Sequence, residues 1–451
     1  MVDKNWNAGT VGAKFQRRKP DSKVHTPPRC NVNRQNDKIS VSGYLVEGEF
    51  KKILAAIHKA TADLGYNDIE LDFTECRSAS PGCLLPICAT AISLRANHHG
   101  IKLLLPSERK LARLFINTNW AHLLDPRAHD PATRIISGQV PARVFSNTTE
   151  QQAAVNDFIL ALLGNTPGLS RREFSAIEWT LNEVTDNVMN HAQSRTGGLV
   201  QLSVLERESK FVELVVADPG IGIPASLRTS RPNINDIESL DLAIREGVTR
   251  DKSIGQGNGL FGTFQICEKS NGRLRIDSGH GTLLYDRNGV RIRNESVPFD
   301  GTTIDARMAL GGRNILDLAL VFSGKEHVPV DFIELKYEAD SLQHLNFVMK
   351  EEATSFGSRL AAKPVRVKLE NLLEMCPGQK IRIDFAGIPI ISSSFADEVF
   401  GRLFVALGPL AFMSRFEFAG IDSTLRILID RAISQRSVTD LGNRLNHTED
   451  Y

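Results

Sequence analysis

Between residues 183 and 262 three polar and glycine-rich blocks follow one another: Glu183 with Asn187, then Asp218-Pro-Gly-Ile-Gly-Ile-Pro224, then Gly255-Gln-Gly-Asn-Gly-Leu260. Around the first block, Ile177, Leu181, Val184 and Val188 recur at helical spacing. They leave Glu183, Asn187, Asn190 and His191 as a polar stripe bordering the apolar face. Asp218 ends the apolar run Phe211-Val-Glu-Leu-Val-Val-Ala217, which reads as a strand, and the third block opens another helix-like stretch. A polar-bordered helix, a strand ending in a glycine-flanked carboxylate and a later glycine-rich loop predict helices over a sheet with a pocket between them.

The residue types suit a nucleotide in that pocket. An ionised Asp218 only accepts hydrogen bonds, which matches the exocyclic amine of adenine and disfavours the carbonyl of guanine. Gly220 and Gly222 leave room for a planar base, and Gly255, Gly257 and Gly259 supply backbone amides that can face phosphates where a helix begins. The amide oxygen of Asn187 is a neutral hard ligand of the kind Mg²⁺ accepts, and Glu183, one turn earlier, can polarise an attacking hydroxyl. Gly257-Asn-Gly-Leu-Phe-Gly262 also fits a dinucleotide fingerprint. However, the charged stretch Arg245-Glu-Gly-Val-Thr-Arg-Asp-Lys-Ser-Ile254 stands where that fold needs a buried strand.

The surrounding 451 residues are too many for one ordinary domain. With 54 basic and 53 acidic residues the chain is not a dedicated polyanion binder, so nucleic acid is not an expected partner. No apolar stretch is long enough to span a bilayer and the first residues are polar and basic, so a cytoplasmic protein away from the membrane is expected. Six cysteines without a C-x-x-C pair point to reduced thiols.

The organisation reads as follows. Residues 1–38 are a basic disordered tail, 39–135 a small α/β unit, and Asp125 to Thr149 a linker. Residues 145–312 are the nucleotide domain, with helices near 150–163 and 171–192 and strands at 198–205, 211–217, 272–277, 282–285, 290–293 and 302–308, in an antiparallel or mixed sheet. Residues 313–451 begin with strand-like Leu316 to Phe322 and Val330 to Tyr337 and continue into a second small α/β unit. Ile69-Glu-Leu-Asp-Phe73 and Ile381-Arg-Ile-Asp-Phe385 differ at two positions, and each precedes a serine-containing loop and a helix, so the flanking units are expected to be related.

Glu183-x-x-x-Asn187, Asp218-x-Gly220-x-Gly222, Gly255-x-Gly257-x-Gly259-Leu260 and the closing Gly301-Thr302 resemble, in order, the four sequence boxes of the GHKL ATPases, a superfamily that includes gyrase, heat-shock chaperone ATPases and histidine kinases. The resemblance covers roughly 150–310 and implies a Bergerat α/β sandwich, helices over a mixed sheet. It implies ATP and Mg²⁺ as ligands, Glu183 as general base, Asn187 on the metal and Asp218 on adenine. Gly220, Gly222, Gly255, Gly257, Gly259, Leu260 and Thr302 would line the nucleotide, with 225–254 as a lid in which Arg250 and Lys252 meet the γ-phosphate. Glu183-Val-Thr-Asp-Asn-Val-Met-Asn-His191 is similar to the anti-sigma-factor serine kinases of bacteria, in which a His at this position stands behind the ligands.

The flanking units resemble STAS domains, and the C-terminal one is similar to a STAS-like domain of unknown function found beside such ATPases. By position Ser80 and Ser393 match the STAS phosphoacceptor, although Ala79 and Ser392 replace its usual Asp and Phe395 its usual Gly. The resemblance implies a signalling ATPase or serine-kinase switch acting on STAS or sigma-regulator partners, with an ATP-gated dimerisation clamp or scaffold as the alternative.

Overall fold

Ile69-Glu-Leu-Asp-Phe73 sits at the centre of the first sheet, where alternation buries Ile69 and Leu71 and the chain turns away at Phe73. The computed structural model describes residues 30–46, 48–133, 140–206, 210–248, 257–311, 319–322, 324–338 and 344–448. In the first unit β1 (Asn31–Gln35), β2 (Lys38–Tyr44), β3 (Asp68–Asp72) and β5 (Gly100–Leu104) lie in that order, and β4 (Cys76–Ser78) pairs with β2. β2, β3 and β5 are parallel, joined by α1 (Phe50–His58) and α2 (Pro81–Ala96), and the unit closes with α3 (Arg109–Asn117) and α4 (Trp120–Leu124).

β1 corrects the expected tail boundary at residue 38. Asn31 to Gln35 form a hairpin with β2 across Asn36-Asp37, Asn36 adopting the positive φ that such a two-residue turn needs. No residue of β1 is fully buried, so the strand is held by its backbone ladder and shows no apolar period in the sequence. Residues 1–29 lie outside the described residues.

The central domain stacks α5 (Thr148–Asn165), α6 (Arg171–Asn187) and α9 (Gly259–Lys269) on β6 (Arg143–Phe145), β7 (Gly198–Glu206), β8 (Lys210–Asp218), β10 (Gly289–Ala309) and β9 (Arg273–Asp286), in that sheet order. Every neighbouring pair is antiparallel. Capping starts both long helices: Asn147 accepts from the Glu150 amide, and Ser170 and Glu173 form a reciprocal capping box. Between β8 and β9 lie α7 (Gly222–Arg228) and α8 (Asp236–Ala243).

Two sequence expectations change in this domain. Four predicted strands after 272 are two long ones, because the β9–β10 ladder continues through Gly279 and Gly281 and takes up the polar stretch 294–302 as register shifts. The predicted linker yields β6, whose three residues pair with β7; its stretch 134–139 lies outside the described residues.

β8 is buried on both faces. Val212, Leu214 and Val216 join the helix-side core, while Val215 and Ala217 join the core of the first unit. The first unit therefore covers the back of the central sheet, fastened by Trp120 Nε1 donating to Gln201 Oε1 at 2.8 Å and by the buried Lys51–Asp277 pair at 3.0 Å.

In the C-terminal unit β13 (His344–Val348), β14 (Lys380–Asp384) and β15 (Phe416–Ala419) form a parallel sheet, preceded by the two-residue strands β11 (Val321–Phe322) and β12 (Lys325–Glu326). The predicted strand Val330 to Tyr337 is instead the helix Phe332–Lys336. Asp331 caps it by accepting from the Glu334 amide, and Ile333 and Tyr337 bury at helical spacing. Helix Arg359–Met375 packs on α5, and its Val365 and Leu369 share one continuous core with Phe158 and Leu162 of α5. Asn371 of that helix is buried at the junction, donating to the Leu163 and Thr166 carbonyls and accepting from the Gly168 and Leu169 amides.

The expected kinship of the flanking units has a structural counterpart. β3 and β14 are each the middle of three parallel strands. Each ends in an Asp whose Oδ1 accepts the amide two residues on, Thr74 at 3.0 Å and Ala386 at 2.8 Å, and each is followed by a buried Phe. Ser80 and Ser392 then stand at helix N-caps.

Candidate nucleotide site

A cavity of about 390 Å³ opens between α6 and the sheet. The helix-side core takes Ile177, Leu181, Val184 and Val188, so the adjoining edge of α6 presents Trp179, Glu183 and Asn187 to the cavity at intervals of one turn. After Asn187 the helix continues as a π-turn over Val188–Ala192 and stops at Gln193, in the left-handed conformation. That turn brings Asn190, His191 and Ala192 to the same lining, next to Asp218 at the end of β8.

The Asp218 end is built by close backbone approaches. Asp218 is 4% exposed, and its Oδ1 accepts the Gly220 amide at 2.8 Å. The Ile221 amide donates to the Ala192 carbonyl at 2.8 Å, and a Cβ on Gly220 would overlap that same carbonyl. Gly222 has a φ of +76° and faces the Gly301 carbonyl so closely that only glycine fits. Ser278, fully buried on β9, ties the two segments together. Its hydroxyl accepts the Ile223 amide at 2.9 Å, donates to the Gly301 carbonyl at 2.7 Å and lies 3.2 Å from Thr302 Oγ1.

At the other end Gly257, Asn258, Gly259 and Leu260 meet Glu183 as α9 begins. Gly257 needs its positive φ beside the Val248 backbone, and Asn258 Oδ1 accepts the Gly247 amide at 3.0 Å, pinning the end of the α7–α8 segment to the glycine-rich turn. Gly255, Arg250 and Lys252 lie outside the described residues. Thus Glu183, Asn187, Asp218, Gly222, Gly257, Gly259, Leu260 and Thr302 line one cavity, and Gly220 supports it from the Ala192 side.

The electrostatics come from burial. Desolvation raises the Glu183 carboxyl to about 7, with the nearby Asp186 charge adding to it. Asp218 is raised to about 7 by desolvation against the bonds it accepts from Gly220 and Thr302. Glu178, behind the cavity, is also raised to about 7 by burial and accepts the Phe332 amide at 2.9 Å. The described lining includes no Lys or Arg; its side chains able to carry positive charge are His191 and His327.

The comparisons with known proteins agree with this geometry. Residues 175–310 match the model for the histidine kinase-, DNA gyrase B- and HSP90-like ATPases. These residues are a GHKL-type ATPase domain. Membership implies ATP binding by the domain. Residues 361–426 match the model of a STAS-like domain of unknown function, so the GHKL domain is followed by a STAS-like one. No curated protein matches the chain. Among the described residues no helix is long and apolar enough to cross a membrane.

Relative to the GHKL cavity the two candidate serines differ. Ser80 stands at the N-cap position of α2 on the back of the sheet without a capping hydrogen bond, near the contact of Gly82 with Asp305, and among the described residues its buried hydroxyl has no hydrogen-bond partner. The cavity opens on the opposite, helix-side face, so the sheet separates the two. Ser393 is exposed at the first turn of its helix, while Ser392 does the capping by accepting from the Phe395 amide at 3.1 Å.

Sequence reasoning missed Ser278, Trp179, Phe322 and His327. Ser278 lies in the Ser-Gly-His-Gly stretch that interrupts the apolar pattern of β9, a signal of special backbone geometry. Phe322 and His327 carry no local signal, because they reach the cavity through a hairpin that belongs to the connector between the domains.

Proposed function

We propose that the chain is an Mg-ATP-driven regulatory switch, in which turnover in the GHKL domain controls contacts of the attached STAS-like domain or of a STAS-type partner. The observation that carries this reading is the placement of two carboxyls with opposite duties along one cavity, the buried Asp218 and the half-buried Glu183. Asp218, next to the glycine-framed slot, suits a base; Glu183, beside the start of α9, suits an acceptor hydroxyl.

The residues fit Mg²⁺. Asn187 lines the cavity, and among the described residues its buried amide nitrogen has no partner; with its amide turned so that the oxygen faces the cavity, one amide oxygen plus phosphates and waters is a donor set Mg²⁺ accepts. When bound, Mg²⁺ would neutralise phosphate charge and orient the terminal phosphoryl group. A Glu183 carboxylate poised near 7 takes the proton of an attacking hydroxyl at neutral pH. Asn258 and Ser278 hold the glycine-rich turns in place, so that orientation is set before ligand arrives.

The placement of Ser80 favours water, or a serine on another surface, as acceptor over Ser80 of the same chain. The test is incubation with Mg²⁺ and γ-labelled ATP, scoring free phosphate and protein-bound label, with Glu183→Ala alongside. The expected result is phosphate release without label on Ser80, lost in the variant while ATP binding persists. Label on Ser393 would assign a kinase acting on its own module. Undiminished turnover in Glu183→Ala would sink the role given to Glu183.

A further inference from the structure

The glycine-framed slot beside Asp218 is floored by an irregular stretch of sheet. Phe299 of β10 stands opposite Gly279 of β9 and Thr302 opposite Ser278, so Asp300 and Gly301 are extra on one strand where the ladder shifts register. Gly301 has a φ of +122°, and a Cβ there would overlap the Asp218 carbonyl. Its own carbonyl takes the Ser278 hydroxyl at 2.7 Å, and the next residue, Thr302, lines the cavity. The two extra residues have no opposite number on β9. Ladder pairing by itself therefore does not fix where Ser278, Gly301 and Thr302 stand.

The missing restraint comes from behind, from α1 of the first unit. Successive residues of a strand face opposite sides of the sheet, so Asp277 points to the back while Ser278 points to the slot. Asp277 is fully buried there. Lys51 Nζ lies 3.0 Å from its Oδ1 and donates to Thr282 Oγ1 at 2.7 Å, while Arg275 Nε donates to Asp277 Oδ2 at 2.6 Å. Phe50, the neighbour of Lys51, meets Phe299 edge to face with ring centroids 5.7 Å apart, and both rings are buried. Two consecutive residues of one helix thus hold both strands at the bulge: Lys51 next to Ser278, and Phe50 at the residue before the two extra ones.

We infer that Lys51 and Phe50 are positioning residues for the nucleotide: they hold the β9–β10 bulge from behind, so that the first unit sets the shape of the base slot formed in front by Asp218, Gly222 and Thr302. The inference rests on the proposed function. Because nucleotide and first unit share the bulge, the linkage is reciprocal: nucleotide in the slot holds the first unit on the sheet, and drawing the first unit away weakens nucleotide binding. A second tie between the same units, Trp120 to Gln201, lies on β7, separated from β10 by β8, and does not touch the bulge.

The test measures binding of ADP with Mg²⁺ to the full chain by calorimetry and follows hydrogen exchange over 299–303 and 257–262. Lys51→Met removes the amine but leaves Asp277 paired with Arg275, so no buried charge is left alone. It should weaken ADP about tenfold, the size of one misaligned hydrogen bond in the slot, and speed exchange over 299–303 while 257–262 keeps its wild-type rate. Phe50→Leu should change both readouts in the same direction. Trp120→Phe, which removes the tie away from the bulge, should leave ADP affinity within about twofold of wild type. Wild-type affinity in Lys51→Met overturns the inference. Equal weakening by Lys51→Met and Trp120→Phe, or faster exchange in both segments, makes Lys51 a general fastener and overturns it as well. A wild-type protein that binds neither ADP nor ATP overturns the ATP reading itself, and this inference with it.

Discussion

Gly259 lies against the carboxylate of Glu183 so closely that a Cβ at 259 would overlap Glu183 Oε2. The first residue of α9 and the candidate base of α6 therefore define each other's position. Gly259→Ala must push Glu183 off its line along the cavity, and misplacement of a catalytic group by about 1 Å costs on the order of 100-fold in rate. The expected outcome is a turnover loss of that size in a phosphate-release assay, with thermal stability lowered only slightly, because the flexible end of Glu183 is what moves.

Recognition of the base should depend on pH. Asp218 is raised to about 7 by burial, and its ionised form accepts more strongly from an exocyclic amine than the protonated carboxyl does, because the bond is then charge-assisted. Binding then selects the deprotonated state, so affinity rises with pH through about 7 and levels off above it. Adenosine is the suitable probe because it lacks the phosphates that would face Glu183. Calorimetry should show binding weaker at pH 6 than on the plateau, by at most about tenfold. Asp218→Asn should bind weakly and without this pH dependence.

A related dependence governs stability. Asp305 on β10 is buried under α2, and among the described residues neither of its oxygens has a hydrogen-bond partner; Arg307 comes within 4.0 Å but pairs with Glu213 at 2.6 Å. Burial raises its carboxyl from the ordinary 3.8 to about 7. The folded state then holds a proton that the unfolded chain has released, so stability is full below about 4 and is lost as pH rises toward 7. Asp305→Asn should be more stable than wild type at pH 8 by up to about 4 kcal/mol, about three pH units at about 1.4 kcal/mol each, the difference vanishing near pH 4. Denaturant melts at the two pH values test this, and equal stability at pH 8 contradicts it.

Asn371 joins the GHKL and STAS-like domains by satisfying two carbonyls and two amides of the 163–169 turn. Asn371→Ala leaves those groups buried and unpaired, at about 1–3 kcal/mol for each group that water cannot reach. Unfolding of the variant should begin several degrees lower, and limited proteolysis should cut first at the 163–169 turn. A melt indistinguishable from wild type would mean that the shared apolar core alone holds the domains together.

The sequence by itself determined which polar and glycine residues border the cavity and the order in which they appear. Glu183 and Asn187 are legible because helical periodicity assigns their face, and Asp218 because a strand must end before a glycine-framed turn. The related plan of the flanking units is visible in two matching pentapeptides, since the same alternation and the same Asx turn need the same residue types.

Only the tertiary structure decided which surfaces meet. β1 has no apolar period and exists through backbone pairing with β2, and Val330 to Tyr337 becomes a helix because Asp331 caps it while Arg171, 160 residues earlier, holds that cap. The sheet's two faces look alike along β8, so the side that takes the nucleotide and the side that takes Ser80 are distinguished only by packing. His327 and Phe322 reach the cavity through a hairpin from the connector. Such contacts leave no periodic trace in the chain, because long-range packing follows the shape of a distant partner and not the local pattern.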